Sequence, residues 1–429
     1  MNRFYIWTIG CQMNKSDSER LALELGQLGL QQVQVVEEAD IIVLNSCAVR
    51  QNAEDKVLNK LSNLKALKRK YPETILALTG CMVDSNIDDM KERFPHIDFF
   101  LKPRNFDDLL THTKKHSTPL TQTIPSTHSQ SATAFVPIIQ GCNNFCSYCI
   151  VPYRRGREKS RPMGEIVDDI QQLAGEGTRE ITLLGQNVDS YGNDLPGKPD
   201  LADLLQELNQ IDNLARIRFL TSHPKDMSQK LIEAIAFLEK VCEHISLPAQ
   251  SGDNETLAAM RRGYTIEQYT ELVDRIRATI PDVALSNDII VGFPNETQDQ
   301  FQRTFDLLEK YQFDTVHVAA YSPRPGTIAA RKLEDNVAPE DKQSRLRQVE
   351  ELQERISTNK NQLLLGHTVE VLVEGHKGER WQSRTRSDKL VFFEHENDCL
   401  GQLVQVRIDH TGPWSLRGSP AMESNLNVG

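Results

Sequence analysis

The chain has 429 residues, 39% hydrophobic and 25% charged, an ordinary globular balance and long enough for two to four domains at about 100–200 residues each. Its formal net charge is −11, from 49 basic and 60 acidic residues, which counts against binding nucleic acid through a diffuse positive field. No run of about 18 apolar residues offers a membrane span, and the N-terminus lacks the apolar core and cleavage site of a secretory signal, so a cytoplasmic protein with no membrane partner is expected.

Residues 1–118 alternate strand-like and helix-like segments, the pattern of an α/β domain. FYIWTI reads as a strand followed by a helix from about Ser16 to Gly29. DIIVLN reads as a second strand, followed by a helix across Glu54 to Lys70, and TILALT as a third. Continuous apolar runs of this kind fit a parallel sheet buried on both faces. Cys11 follows the first strand, Cys47 the second and Cys81 the third. Loops at the carboxyl ends of parallel strands lie together, so three cysteines far apart in sequence are expected to converge. Three small buried residues would give the same spacing with no chemical role. Residues 112–134 are rich in Ser, Thr, Pro and Gln, and a linker is placed at 119–133.

A second alternation fills 134–360. The strands are FVPIIQ, REITLL, RIRFLT, EHISLP, VALSNDIIV and TVHVAAY, with helices at Leu201–Ile211, Ser228–Phe237, Ile266–Thr279 and Gln298–Tyr311. Six such units with right-handed crossovers predict a partial (β/α)6 barrel. Gln186, Asn187, Ser222, His223, Gln250, Ser251 and Ser322 follow its strands, on the face where barrel enzymes place their chemistry. A charged helix from Pro339 to Leu365 leads into residues 362–422, where TVEVLVEG, KLVFFE and QLVQVRIDH predict a small antiparallel β-barrel.

Eight cysteines stand in the chain, and GCNNFCSYC groups three of them, Cys142, Cys146 and Cys149, as C-x-x-x-C-x-x-C after the first barrel strand. In a cytoplasmic chain such clustering points to metal or redox chemistry and not to disulfides. Three soft thiolates suit an iron–sulfur cube, leaving its fourth iron open for catalysis. A zinc site would need a fourth ligand, and His128 and His223, the nearest histidines, lack zinc-finger spacing. Cys242 and Cys399 have no ligand-like partner and read as structural. Five of the eight residues from Arg154 to Arg161 are basic, and Lys377, Arg380, Arg384, Arg386 and Lys389 form a second basic stretch. Each is either a solvated face or a phosphate-binding one. Trp381, Phe392 and Phe393 could stack on bases or belong to a core; alternation lets at most one of the two phenylalanines face outward.

These residues resemble a known family. IWTIGCQMN, VLNSCAVR, LTGCM, GCNNFCSYCIVPYRRGREKSRP, LLGQNV, LTSHPKDM, LPAQSGDNETLAAMRRGYT, DIIVGFPNET and YSPRPGT look like the methylthiotransferase family of radical S-adenosylmethionine enzymes. The likeness covers nearly the whole chain. LLGQNV and LTSHPKDM favour the branch that modifies N(6)-dimethylallyladenosine in tRNA over those acting on threonylcarbamoyl-adenosine or a ribosomal protein.

The resemblance implies two 4Fe–4S clusters. Cys142, Cys146 and Cys149 would hold the one that binds S-adenosylmethionine, which serves as radical source and methyl donor. Cys11, Cys47 and Cys81 would hold an auxiliary cluster where sulfur is delivered. Tyr148, Gln186, Asn187, Gln250 and Ser251 become candidate cofactor contacts. Residues 362–422 resemble an RNA-binding TRAM domain, which makes Arg384, Arg386 and Lys389, with Arg154 and Arg155, candidate RNA contacts. The implied product carries a methylthio group on carbon 2 of prenylated adenosine beside the anticodon. The implied partners are a tRNA anticodon stem-loop, a low-potential electron donor of flavodoxin or ferredoxin type and a sulfur donor, acting on a monomer. That chemistry breaks an unactivated aromatic C–H bond, beyond the reach of any side-chain base, so a cofactor must carry it. A redox-sensing iron–sulfur protein that binds RNA, or a cluster carrier, would share the cysteines but has no use for polar-ended barrel strands. Ser383 and Asn295 stand where the family pattern has glycine, and both are expected at turns.

Overall fold

The computed structural model describes residues 1–47, 51–83, 87–116 and 131–421, with backbone only at 51–54. The chain forms two compact units: Met1–Ser129 with Gln140–Phe145 and Cys149–Glu158, and Gln130–Ile139 with Cys146–Tyr148 and Lys159–Gly429.

In the first unit, β1 (Arg3–Thr8), β2 (Gln31–Gln32), β3 (Ile41–Ser46), β4 (Ile75–Gly80) and β5 (Phe99–Phe100) make a parallel sheet in the order β2-β1-β3-β4-β5. Every residue of β3 and β4 is buried, which explains their uninterrupted apolar sequences. Successive side chains point to opposite faces. Ile42, Leu44, Leu76 and Leu78 pack with Val57, Leu61 and Leu64 on one face; Ile41, Val43, Ile75 and Ala77 pack with Leu21, Leu25 and Leu109 on the other. The first helix starts at Gln12, four residues earlier than its sequence suggests. Its opening turns bury Asn14, Ser16, Asp17 and Ser18, so hydrophobic periodicity could not reveal them. The helix Asp107–His116 takes in 112–116 from the Ser/Thr-rich stretch, and Thr133 already belongs to a strand. Most of the proposed linker lies outside the described residues.

The second unit holds the β/α barrel. Its strands are β6 (Thr133–Pro137), the two-residue β7 (Ile139–Gln140) and β8 (Lys159–Ser160), then β9 (Glu180–Leu184), β10 (Arg216–Phe219), β11 (His244–Ser246), β12 (Ala284–Val291) and β13 (Thr315–Ala320). The orders β10-β9-β6 and β11-β12-β13 form two parallel sheets, joined by a parallel bridge between Ile217 and Val241. The helices Ile266–Thr279 and Gln298–Tyr311 stand where the sequence puts them. Both open on a capping box, Thr265 with Gln268 and Thr297 with Gln300. The helix Met163–Gly175 is an addition, and Leu201–Leu208 stops short of Ile211. Among the described residues no helix is long and apolar enough to cross a membrane.

After the helix Pro339–Gln362 come β14 (Thr368–Lys377), β15 (Arg380–Thr385), β16 (Leu390–Phe393), β17 (Leu403–Thr411) and β18 (Leu416–Pro420), closed in the order β14-β15-β16-β18-β17. Its pairings are antiparallel except β16 with β18, which is parallel. Trp381 and Phe393 fill its core with Val371, Val391 and Ile408, so neither is a stacking platform. Ser383 is not at a turn: it lies in β15, fully buried, and donates to Val391 O at 2.8 Å. Asn295 has φ +68°, a conformation asparagine tolerates better than most residues, and hydrogen-bonds Asn336.

The small barrel sits on the amino ends of the β/α strands. Arg216, wholly buried at the start of β10, donates to Arg384 O at 2.7 Å and Glu370 Oε1 at 3.0 Å. Arg218 bonds Glu180 Oε1 at 2.9 Å and donates to Thr385 O and Arg386 O, both at 2.6 Å. Arg386 forks onto Glu243 at 2.7 and 2.8 Å, and Lys389 reaches Asn361 Oδ1 at 2.9 Å and Asp314 Oδ1 at 3.7 Å. Breaking a buried pair leaves an uncompensated charge, a loss of about 3–5 kcal/mol. Arg218→Met should therefore destabilise the protein by about that amount in denaturant unfolding and expose the small barrel to limited proteolysis. Adding Glu180→Gln should restore part of the loss.

Candidate functional site

Three adjacent strands of the first unit, β1, β3 and β4, deliver Cys11, Cys47 and Cys81 to their carboxyl ends. Cys11 caps the helix Gln12–Gln27 and is exposed, while Cys47 and Cys81 are buried. The loops approach closely. Gly80, at φ +94°, leaves no room for a side chain, because a Cβ would fall 2.2 Å from Ser46 O. A Cβ on Gly10 would press on Cys47 Cβ at 3.0 Å. Beneath them, Asn14 Nδ2 donates to Asn45 Oδ1 at 2.8 Å and Ser46 O at 2.9 Å, and Asn45 Nδ2 answers to Asn14 O at 2.7 Å. Arg155 belongs to this site. It is buried, donates Nε–H to Cys81 Sγ at 3.3 Å and pairs with Asp17 Oδ2 at 3.3 Å. This corrects its assignment to RNA, since a guanidinium closed off from solvent cannot meet a phosphate. Burial pushes the Cys81 thiol up, and the Arg155 cation opposes that shift.

Cys142 and Cys149 belong to the first unit and Cys146 to the second. Around Cys142, Asn144 N–H donates to its Sγ at 3.5 Å and Cys142 N–H to Gly156 O at 3.2 Å. Asn143 grips both oxygens of Glu158 at 3.0 Å. In the second unit, Arg262 Nη1 donates to Cys146 Sγ and to Tyr148 Oη, both at 3.4 Å. Its other nitrogens reach Tyr264 Oη at 3.0 Å and Pro248 O at 2.8 Å. A buried cation thus faces a cysteine of the triplet. Sequence reasoning missed Arg262, although MRRGYT lies inside a family segment.

At the carboxyl ends of β9 and β10, Asn187 is buried and donates to Asp226 Oδ2 at 2.7 Å, while its Oδ1 has no partner. His223 Nδ1 accepts from Lys225 N–H at 3.3 Å, which puts the ring proton on Nε2, a buried atom also without a partner. Burial holds the His223 pKa down at about 2, so the ring is neutral. Thr221, β-branched, adopts φ +71°, the kind of strain that collects at functional sites. Asp189 accepts from Ser222 Oγ at 2.9 Å and His223 N–H at 3.0 Å. Gln186 is half-buried. Gln250, at φ +74°, pairs its backbone with Asp288 and Ile290 of β12. Ser251 is fully buried and turns its hydroxyl to Thr304 and the Asp253 amide, bracing the loop. Arg154 is half-buried. Arg384 pairs with Glu374 and Asp388, and Arg386 and Lys389 hold the small barrel in place. The expectation of phosphate contact is revised for these three, because their charges already face carboxylates.

Among the described residues no three His, Cys, Asp or Glu side chains are grouped to hold a single metal ion. A four-iron cube instead takes one thiolate at each of three corners, a wider arrangement. The all-thiol donor sets fit such a cube, and the partnerless Asn187 Oδ1 and His223 Nε2 fit a polar cofactor.

Comparison with known proteins agrees with this chemistry. Residues 136–308 match the Radical SAM superfamily, residues 3–102 the Uncharacterized protein family UPF0004, and residues 362–421 the TRAM domain. A tRNA-2-methylthio-N(6)-dimethylallyladenosine synthase of Dehalococcoides mccartyi (strain CBDB1) is 49% identical, over 97% of this chain and 98% of its own. A protein of the same name from Herpetosiphon aurantiacus is 48% identical, over 97% of each. The chain belongs to this family. It is a radical S-adenosylmethionine methylthiotransferase. Among solved structures, the radical S-adenosylmethionine methyltransferase TsrM of Kitasatospora setae aligns over 77% of each chain with a TM-score of 0.55 and 13% identity, a likeness of fold alone.

The methylthiotransferase keeps one acidic group poised near neutrality, since burial raises Asp189 to about 7. Between the ordinary carboxylate range and pH 7 the unfolded chain releases this proton and the folded one keeps it. Stability is therefore full in acid and falls as pH rises toward 7, by up to about 4 kcal/mol. Asp189→Asn should flatten that decline in thermal unfolding measured from pH 4 to 8.

Proposed function

We propose that this methylthiotransferase adds a methylthio group to carbon 2 of N(6)-dimethylallyladenosine beside the anticodon of tRNA. The names of its relatives support this reading. The observation that carries it is the second cysteine triplet, Cys11, Cys47 and Cys81, gathered at the carboxyl ends of three neighbouring strands and distant in sequence from the C-x-x-x-C-x-x-C loop. One cluster suffices for starting radical chemistry; a second gives the sulfur a place to be held. Cys142, Cys146 and Cys149 would hold the first cluster, which when reduced by a low-potential donor supplies the electron that cleaves S-adenosylmethionine. Arg262 steadies Cys146, and Asn187 and His223 offer an acceptor and a donor to bound cofactor. Cys11, Cys47 and Cys81 would hold the second cluster, supplied by a sulfur donor. The anticodon loop is single-stranded, so its adenine can be turned out into the barrel at modest cost.

Anaerobic reconstitution should give about eight irons per chain, falling to about four when Cys142, Cys146 and Cys149 are changed to Ala. Cys47→Ala should still release 5′-deoxyadenosine but form no methylthio product from a prenylated anticodon stem-loop. Normal product formation by that variant would remove the second triplet from the reaction.

RNA contact falls to another face of the small barrel. Arg407, His410 and Arg417 are exposed on β17 and β18, and Trp414, 59% exposed, stands in the turn between them. Arginines beside an exposed aromatic suit a backbone and an unstacked base. Arg407→Ala with Arg417→Ala should weaken stem-loop binding and flatten its salt dependence, while leaving cofactor cleavage without RNA unchanged.

A further inference from the structure

The loop that carries the C-x-x-x-C-x-x-C cysteines also carries an aromatic pair that joins no core. Phe145, the residue before Cys146, is half-buried, and Tyr153, in the short helix Val151–Arg155, is 38% exposed. Their rings meet edge to face with centroids 5.8 Å apart. Among the described residues neither ring belongs to a hydrophobic core cluster. The Arg157 guanidinium lies over the Phe145 ring at 4.4 Å. Arg155 and Arg161 of the same basic run face Asp17 and Asp169, whereas Arg157 is exposed and has no carboxylate partner among the described residues. The arrangement is held under strain. Phe145 adopts φ +50°, an outlier for a bulky side chain and a conformation that the surrounding structure must enforce. Two clamps do so: Cys142 N–H donates to Gly156 O at 3.2 Å, and Asn143 grips Glu158 at 3.0 Å. Gly141, at φ +83°, lets the two segments close, since a Cβ there would fall 2.1 Å from Arg157 O.

We infer that Phe145, Tyr153 and Arg157 form a stacking platform for one base of the RNA substrate, that of a nucleotide next to the target adenosine. This rests on the reading of the substrate as an anticodon stem-loop and adds residues that position it. Radical chemistry reaches only a base brought beside Cys142, Cys146 and Cys149, so the nucleotides flanking that base pass close to this loop. Bases of a single-stranded loop splay out and stack on aromatic rings and on arginine planes. Tyr153 and Arg157 are open to solvent, which suits a neighbour of the target and not the target itself. The fixed geometry of the platform lowers the ordering cost of binding. An acidic partner protein would instead call for several open cations, and two arginines of this run already face carboxylates.

The test is a double-mutant cycle on the cluster-loaded full chain, read as binding and not as turnover. Prenylated anticodon stem-loops are titrated at one salt concentration: intact, abasic at the nucleotide 5′ of the target, and abasic at the nucleotide 3′ of it. Iron is counted in every sample. With the unsubstituted protein, one abasic stem-loop should bind about five- to a hundredfold more weakly than the intact one, the range for one stacked base. Tyr153→Leu and Arg157→Gln should each weaken the intact stem-loop and narrow its advantage over that abasic one. Tyr153→Phe, which keeps the ring, should match the unsubstituted protein. A general electrostatic or structural role predicts the same penalty for removing the base in every protein, and that additive result would overturn the inference. So would unchanged stem-loop affinity of both variants with slowed reduction by a flavodoxin-type donor, which would make the platform a protein-docking surface. Either exposed residue carries the cycle if the variant of the other loses iron; iron lost from both would make the pair a support for the cluster and overturn the stacking role. Failure of the unsubstituted protein to bind the intact stem-loop would remove the RNA reading and the platform with it.

Discussion

Parallel strands bring their carboxyl ends to one edge, and the chain uses this constraint twice. A strand that returns through a helix always re-enters the sheet at the same end, so every loop that follows a strand meets the others. In the first unit this gathers Cys11, Cys47 and Cys81 from positions far apart in the chain. In the second it gathers Asn187, His223 and the Arg262 environment of Cys146. The glycines at 10 and 80 allow the loops of the first site to close on one another, since a Cβ at either would collide with its neighbour.

Buried guanidinium groups do much of the positioning. Arg155, Arg216, Arg218 and Arg262 are all buried, and each uses the planar fork of arginine to tie together groups distant in sequence. Lysine would serve less well in these places, because its compact ammonium lacks the rigid planar fork of the guanidinium. Two of the four face cysteine sulfur. A positive charge and N–H donors next to a thiolate favour its ionised form and stabilise added negative charge.

The small C-terminal barrel is more than an attached module. Its turn at 384–389 fills the amino ends of the β/α strands through Arg216, Arg218, Glu243 and Asp314. Barrel folds put chemistry at the carboxyl ends and stability at the amino ends. The basic stretch that looked like an RNA surface therefore serves the second purpose.

By itself the sequence determined the β/α strands, two helices to the residue, the two cysteine triplets and the family. These are signalled by local patterns: apolar runs, capping residues such as Thr265 and Thr297, and fixed spacing in GCNNFCSYC. Tertiary structure alone decided what the charged residues do. Arg155 and Arg386 sit in similar basic runs with no periodic signal, yet one is buried against Cys81 and the other pairs with Glu243, 143 residues away. The same holds for Asn14 and Asp17, which are polar in sequence and buried in the fold. A charge reveals its role only through its partner, and partners brought together by chain crossovers leave no mark on the residues between them.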